Sequence, residues 1–216
     1  MDPSTRAFAR EHLQNRAAED PAFRAALLAD PKTAIKEAFG MELPPEYEVQ
    51  TVEETPTRLC LVLPLPTPSR DSDVTLREVT ARNVNSVCNL EVKESQSGFV
   101  ANNAFSLAQM HFEPKAWARA VYAGDTPVGF VMLKDDPEEQ RYYVWRFMIA
   151  GEYQGLGFGR RAMEQVTEYV RSRPGATELT LSYVPGEGSP REFYMRLGFH
   201  DTGVKHGPEN EMKLVL

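Results

Sequence analysis

The feature that most constrains this chain is a glycine-rich turn, Gln154-Gly155-Leu156-Gly157-Phe158-Gly159, between a predicted strand and a predicted helix. The helix is predicted by apolar residues at helical spacing, which are Phe158, Ala162, Met163, Val166, Tyr169 and Val170. Glycines let the backbone approach a diphosphate, and the first N–H groups of a helix lack internal partners. The turn therefore predicts a site for a phosphate-bearing ligand, with Arg160 and Arg161 adding positive charge at its mouth.

The elements that precede the turn show whether it fits a dinucleotide-binding fold or another kind of phosphate site. Residues 74–79 alternate as a strand, and helical stretches follow. Residues 117–123 and 128–134 predict a hairpin, and residues 142–150 predict a fourth strand rich in aromatic and β-branched residues. A dinucleotide fingerprint would follow the first strand of its domain. Because this turn follows the fourth strand, a dinucleotide-binding fold does not fit.

With Gln154 in first place and glycines three and five residues later, the turn resembles the acyl-CoA signature of the GCN5-related N-acetyltransferase (GNAT) superfamily. The resemblance covers about residues 74–216 and includes a fifth strand at 178–183 and a closing helix-turn at 192–199. It implies an α+β fold with a mixed, mostly antiparallel central sheet that is splayed between strands four and five. It also implies acetyl-CoA as the acyl donor, and homodimers are common in this superfamily.

The same resemblance implies the residues of the cofactor site. A bulge near Met148-Ile149 would free backbone groups of strand four to pair with the pantetheine arm and to polarise the thioester carbonyl. The implied cofactor-binding residues are Met148, Ile149, Gln154, Gly155, Leu156, Gly157, Phe158, Gly159 and Arg160. Tyr194 matches the tyrosine that protonates the departing thiolate, and the alternative is a ring packed behind the cofactor. Many relatives have Asn and Ala where Glu187 and Pro190 stand, so contacts from that loop are left open.

The acceptor end of the site needs a group that takes a proton from the amine. The candidate carboxylates are Glu91, Glu94 and Glu152, of which Glu152 is the predicted catalytic residue. Residues 94–103, 145–149 and 181–186 resemble a bacterial subgroup related to spermine/spermidine (diamine) acetyltransferases. This implies a polyamine or similar small amine as the acceptor. The predicted substrate-binding residues are Glu94, Gln96, Phe99, Trp145 and Tyr183.

A proline-rich stretch at residues 64–68 favours extended backbone and predicts a domain junction. We expect an N-terminal domain at 1–66, a linker at 67–73 and the acetyltransferase domain at 74–216. Helices are predicted over 4–16, where Ser4 would cap, and over 21–39, where Asp20-Pro21 and Asp30-Pro31 each place a cap before a proline. Two short strands are predicted at 47–52 and 58–63.

Residues 5–64 resemble the nitrile-hydratase-like leader domain of proteusin peptide precursors. The resemblance rests on residues 28–40, Leu43-Pro44, residues 52–56 and residues 61–64. In that family the leader is bound by peptide-maturation enzymes, and a core peptide follows it. Three roles stay open: a cap that stabilises or dimerises the catalytic domain, a docking module for maturation enzymes, or a sign that the acceptor is a Lys, ornithine or N-terminal amine of a peptide.

Net charge and the distribution of apolar residues exclude some classes of partner. The formal net charge of −7 argues against a nucleic-acid partner. The chain lacks the run of about 18 apolar residues that a membrane span needs, and its first residues lack the pattern of a secretory signal. We therefore expect a cytoplasmic protein without a membrane partner. The two cysteines and four histidines show no metal-ligand spacing, so no metal site is predicted.

Overall fold

The computed structural model describes residues 3–40, 42–43, 47–63 and 67–216, and the chain divides into two units, residues 1–66 and 67–216. The N-terminal unit contains α1 (Pro3–Glu19), α2 (Pro21–Ala29) and α3 (Pro31–Phe39). The Asp20 side chain accepts hydrogen bonds from the backbone N–H groups of Ala22 and Phe23, and Asp30 accepts one from Thr33. These carboxylates begin α2 and α3 as the Asp-Pro pairs predict. Among the residues of this unit whose burial is described, Phe23, Leu27, Ala34 and Ile35 are buried.

Two predictions for this unit are wrong. Helix α1 begins at Pro3, so Ser4 lies inside the helix rather than before it. Residues 47–52 and 58–63 do not form strands, and the described part of this segment has a single isolated bridge between Thr55 and Arg58. Alternating apolar residues form a strand only where a neighbouring backbone supplies hydrogen bonds. Beyond that bridge, residues 59–63 have no such neighbour within the described ranges.

The C-terminal unit is a mixed sheet of seven strands with four helices. Its strands lie in the order β1-β2-β3-β4-β5-β7-β6, and only the β4–β5 pair is parallel. The expected α+β fold, mostly antiparallel, is confirmed. In chain order the elements are β1 (Val74–Glu78), α4 (Val84–Cys88), α5 (Asn103–Met110), β2 (Ala116–Ala123), β3 (Thr126–Asp136), β4 (Arg141–Ile149), α6 (Phe158–Arg171), β5 (Glu178–Tyr183), α7 (Arg191–Arg196), β6 (His200–His206) and β7 (Glu209–Val215).

Alternation along β3 divides the core between the two faces of the sheet. Val131 and Leu133 pack in one cluster with the buried face of α6, whereas Phe130 and Met132 pack in another with Val87 of α4. Successive side chains of a strand point to opposite faces, so one strand serves both clusters. The sheet therefore carries α6 on one side and the α4–α5 region on the other.

Strands β4 and β5 separate part-way along their length, as the resemblance implied. They pair only at Tyr143–Thr180 and Val144–Leu181, although β4 continues to Ile149. The bulge predicted near Met148-Ile149 is misplaced, because those two residues pair regularly with Phe130 and Gly129. The register shift instead lies between Val144 and Arg146, where Trp145 is the extra residue.

The hairpin of β6 and β7 has no counterpart among the predicted elements. Its turn contains Gly207 in the left-handed region (φ 62°), and β6 is almost entirely exposed. An exposed edge strand of polar residues shows little of the alternation that marks a half-buried strand. None of the helices in the described ranges is long and apolar enough to cross a membrane.

Candidate active site

A cavity of about 870 Å³ lies where β4 and β5 separate. Its lining comes from five parts of the fold: Val92 with the loop at 96–101, β4 from residue 143 onward with the glycine turn, the end of β5 with the loop that follows it, α7, and Glu209 at the start of β7. The splay of the sheet therefore produces a space that reaches both the predicted cofactor turn and the predicted acceptor wall.

The glycine turn has the backbone geometry that only glycine adopts without strain. Gly155 and Gly157 have φ angles of 81° and 85°, and a Cβ at either position would meet nothing within 4 Å. These glycines are therefore required by conformation and not by lack of space. Gly157 is the N-cap of α6, no side chain caps the helix, and the first helical bond runs from Arg161 N–H to Gly157 O. The preceding N–H groups at this helix end have no partner among the described residues and can donate to an anion.

Gln154 joins three parts of the site. Its Nε2 donates to the Ile149 carbonyl at the end of β4 (2.9 Å) and to Gln96 Oε1 in the acceptor loop (2.7 Å). One amide side chain thus fixes the glycine turn against the splayed strand and against the loop opposite. Gln96 was predicted from sequence to bind substrate, and the structure places it in the cavity wall with this bond to the turn.

The structure brings eight of the nine predicted cofactor residues to the cavity wall. Leu156 is the exception, because it packs partly buried against the cluster that contains Ile149 and Phe158. Arg160 lines the cavity and forms an ion pair with Glu164 at 2.8 Å. Arg161 does not line it: its guanidinium donates to the carbonyls of Ser72 (2.8 Å) and Arg70 (2.9 Å). Arg161 therefore binds the backbone of residues 70–72 instead of adding the expected positive charge at the mouth of the site.

Tyr194 of α7 lines the cavity and is 7% exposed. Its ring packs edge-on against Phe193 and Phe199, and its hydroxyl makes no hydrogen bond to any residue within the described ranges. Burial raises the pKa of this phenol, and the nearby Tyr143 adds to the effect. The hydroxyl therefore keeps its proton across the neutral range, as a proton donor requires.

The predicted acceptor residues divide into two groups. Gln96, Phe99, Trp145 and Tyr183 line the cavity, although the Tyr183 hydroxyl donates to Asp201 Oδ1 (3.1 Å). Glu94 and Glu152 are both exposed and lie outside the lining. Burial raises the pKa of Tyr153, and the charge of neighbouring Glu152 contributes.

Sequence reasoning missed the charged groups that do line the acceptor side, above all Arg146 and Glu209. Glu209 begins β7, is half-buried, and forms no hydrogen bond or ion pair through its side chain with the described residues. Its charge is near enough to affect both Tyr143 and Arg146. No local pattern marked Glu209, because β7 reaches the cavity only through its pairing with β5.

Sequence comparison now identifies the family. The profile of the acetyltransferase (GNAT) family matches residues 84–199, which include α4, the glycine turn and Tyr194. The chain belongs to this family. Members of this acetyltransferase family use acetyl-CoA as the acyl donor, and the glycine turn, the free helix end and the splayed strand fit that ligand. No curated protein matches the chain in sequence.

Structural comparison finds the same fold in distant acetyltransferases. The spermidine N-acetyltransferase from Vibrio cholerae in complex with CoA and spermine is 17% identical over 66% of this chain and 95% of that one, with a TM-score of 0.53. The PaiA N-acetyltransferase from Thermoplasma acidophilum in complex with coenzyme A is 14% identical over 67% and 99%, with a TM-score of 0.52. Naa50 from Arabidopsis thaliana, bound to the bisubstrate analogue CoA-Ac-MVNAL, is 18% identical over 66% and 99%, with a TM-score of 0.50. At these identities the likeness shows the fold.

Proposed function

We propose that this acetyltransferase transfers the acetyl group of acetyl-CoA to the primary amine of a small molecule. The observation that carries the proposal is the cavity between β4 and β5, because one space is lined by the glycine turn, by Tyr194 and by Glu209. A donor site, an acid and a carboxylate are the three parts that amide formation from a thioester needs.

The roles follow from the chemistry of each group. Acetyl-CoA supplies an acetyl group on a thioester, whose leaving group is a thiolate. Glu209 accepts, directly or through water, the proton that the ammonium group of the acceptor must lose before attack, and Tyr194 donates a proton to the departing sulfur. The nitrogen loses a second proton as the amide forms, and this proton restores the Tyr194 hydroxyl, directly or through water. The amine nitrogen gains a bond to the acetyl carbon as the carbon–sulfur bond breaks. The products are an amide and a free thiol.

A polyamine is the acceptor predicted from sequence, and binding it would require acidic residues in the cavity wall. Glu94 and Glu152, the carboxylates first expected to attract a cationic amine, lie outside the lining. Glu192, which forms an ion pair with Arg191 (3.3 Å), and Glu209, which has no partner among the described residues, line it instead. The spermidine N-acetyltransferase from Vibrio cholerae, in complex with CoA and spermine, supports a polyamine acceptor only through the fold that it shares with this chain. Arg146, a cation in the same wall, opposes a molecule that carries only positive charges.

Thiol release from acetyl-CoA tests the proposal directly. We expect release with small amines from a panel of spermidine, spermine, amino acids and a leader-bearing peptide. The acetylated product would be identified by mass spectrometry. Each acceptor would also be tested with all of its primary amines acetylated, which should give no release. Turnover on the peptide alone would refute the small-molecule proposal.

A second candidate function is favoured by one feature of the N-terminal unit. Leu59, Leu61 and Leu63 are 76%, 77% and 85% exposed, which is unusual for alternate apolar residues in one short segment. We propose that this segment docks a peptide substrate, in line with the resemblance to leader domains. On this hypothesis the acetylated amine belongs to a ribosomally made peptide.

Serine substitutions at these three leucines test the docking hypothesis. In the full chain, we expect the triple variant to lower kcat/KM for a leader-bearing peptide by roughly 10-fold, because each buried leucine contributes on the order of 1.5–3 kcal/mol and only part is lost. Turnover of a small amine should stay at the wild-type rate, which also serves as the control for folding. Equal rates of peptide acetylation by the variant and the wild type would remove the support for docking.

A further inference from the structure

The bulge in β4 places two successive side chains on the same face of the sheet. Trp145 packs with the cluster on the α4–α5 face, and Arg146 pairs with Met132, which belongs to that same cluster. The Arg146 guanidinium lies over the Trp145 ring, 5.2 Å from its centroid. Without the extra residue, alternation would send these two side chains to opposite faces. The fold thus uses a local irregularity to bring a cation into the cavity wall.

This cation is short of partners. Arg146 Nη1 donates to the Trp145 carbonyl (2.7 Å) and Nη2 to Gln109 Oε1 (3.0 Å), while its buried Nε has no partner in the described ranges. An arginine has five N–H donors, so three of them are unused. No carboxylate of a described residue lies within ion-pair distance. Burial lowers the pKa of the guanidinium, and the charges of Tyr143 and Glu209 partly offset that effect.

Arg119 is a second arginine that contacts a tryptophan ring and the preceding carbonyl, but its charge is paired with a carboxylate of the chain. Its Nη1 donates to the carbonyl of the preceding residue, Ala118 (2.7 Å), and its guanidinium lies over Trp117 at 4.5 Å. Unlike Arg146, it has a carboxylate partner, Glu78 (3.7 Å), and it lies outside the cavity. A desolvated guanidinium without a carboxylate is costly unless a ligand supplies one.

We infer that the acceptor is a small amine that also carries a carboxylate, and that Arg146 binds this carboxylate while Glu209 faces the amine. The inference rests on the proposed function and names the class of substrate for the same cavity. Arg146 and Glu209 both line the cavity, and neither has an oppositely charged partner among the described residues, so both are available to a ligand. A zwitterion satisfies both, whereas a diamine leaves Arg146 unpaired and adds a like charge beside it.

Matched pairs of acceptors that differ by one carboxylate test this inference with the full chain. The pairs are glycine with methylamine, 4-aminobutyrate with propylamine, ornithine with 1,4-diaminobutane, and lysine with 1,5-diaminopentane. At saturating acetyl-CoA, we expect the carboxylate-bearing member of at least one pair to have a kcat/KM roughly 10- to 100-fold higher, as a charge-assisted bidentate contact provides. Arg146→Met should collapse that ratio towards one through the KM of the carboxylate-bearing member. Arg146→Lys should keep part of it, and Arg119→Met should leave it unchanged.

Calorimetry of acceptor binding, with CoA in place of acetyl-CoA, distinguishes failure of this inference from failure of the proposed function. We expect the carboxylate-bearing member of the preferred pair to bind the wild type more tightly, and Arg146→Met to abolish the difference. If thiol release occurs and the two members of every pair have equal kcat/KM, the inference is overturned while the proposed transferase activity stands. Without thiol release from any acceptor, calorimetry alone decides: tighter binding that Arg146→Met removes would support the inference, and equal binding would overturn it.

Discussion

Replacing Tyr194 with phenylalanine is expected to lower kcat at saturating acetyl-CoA by on the order of 100-fold or more. The change removes only the hydroxyl, which makes no hydrogen bond within the described residues, and keeps the ring in its contacts with Phe193 and Phe199. A positioned acid typically contributes about 10²–10⁴-fold to a proton transfer. The KM for acetyl-CoA should change little, because the phenol acts on the departing sulfur. Steady-state thiol release over a range of acetyl-CoA concentrations measures both constants.

Tyr142→Phe is the matched control for this variant. The Tyr142 hydroxyl donates to the Pro174 carbonyl (2.6 Å) and lies outside the cavity, so its loss should lower stability by about 1 kcal/mol and leave kcat unchanged. An unchanged kcat in Tyr194→Phe would favour the alternative role, a ring packed behind the cofactor. Because burial raises the pKa of Tyr194 above its usual value, the wild-type rate should show no loss of this acid up to pH 10.

The cofactor half of the site could be predicted because its signals are local. The glycines of the turn must adopt positive φ angles, and the apolar residues of α6 recur at helical spacing next to them. Strand β5 is likewise visible, because it alternates buried and partly exposed residues along its whole length. In each case the residues that determine the structure are neighbours in sequence, so a pattern read along the chain is sufficient.

Four of the five predicted substrate-binding residues line the cavity, but the charged residues of the acceptor half could not be predicted, because their positions depend on tertiary contacts. Glu209 reaches the cavity only through the pairing of β7 with β5, and Arg146 only through a bulge that no residue type marks. Glu94 and Glu152 lie near the right elements in sequence, yet their side chains are exposed outside the lining. The strand prediction for residues 58–63 failed for a related reason, since alternation says nothing about whether a partner strand exists.

A glycine in the middle of β3 holds the splayed strand in place. Gly129 pairs with Ile149, and a Cβ built on Gly129 would overlap the Met148 carbonyl oxygen and lie 2.6 Å from Ile149 Cδ1. A strand normally disfavours glycine, because it has no side chain to pack and loses more entropy on folding. Here the missing Cβ allows β3 and β4 to approach beside the residues that line the cavity.

We therefore expect Gly129→Ala to lower the free energy of unfolding by about 3 kcal/mol, near the upper end of what one inserted methyl group costs in a packed interior. The backbone oxygen of Met148 cannot move aside as a flexible side chain would, so the end of β4 must shift. Chemical denaturation measures the loss, and Gly98→Ala is the control, because a Cβ there meets nothing within 4 Å. Because Met148 and Ile149 line the cofactor side, the folded fraction of Gly129→Ala should also bind CoA more weakly than the wild type. Wild-type stability and CoA affinity in Gly129→Ala would mean that β3 and β4 can separate at this point without affecting the site.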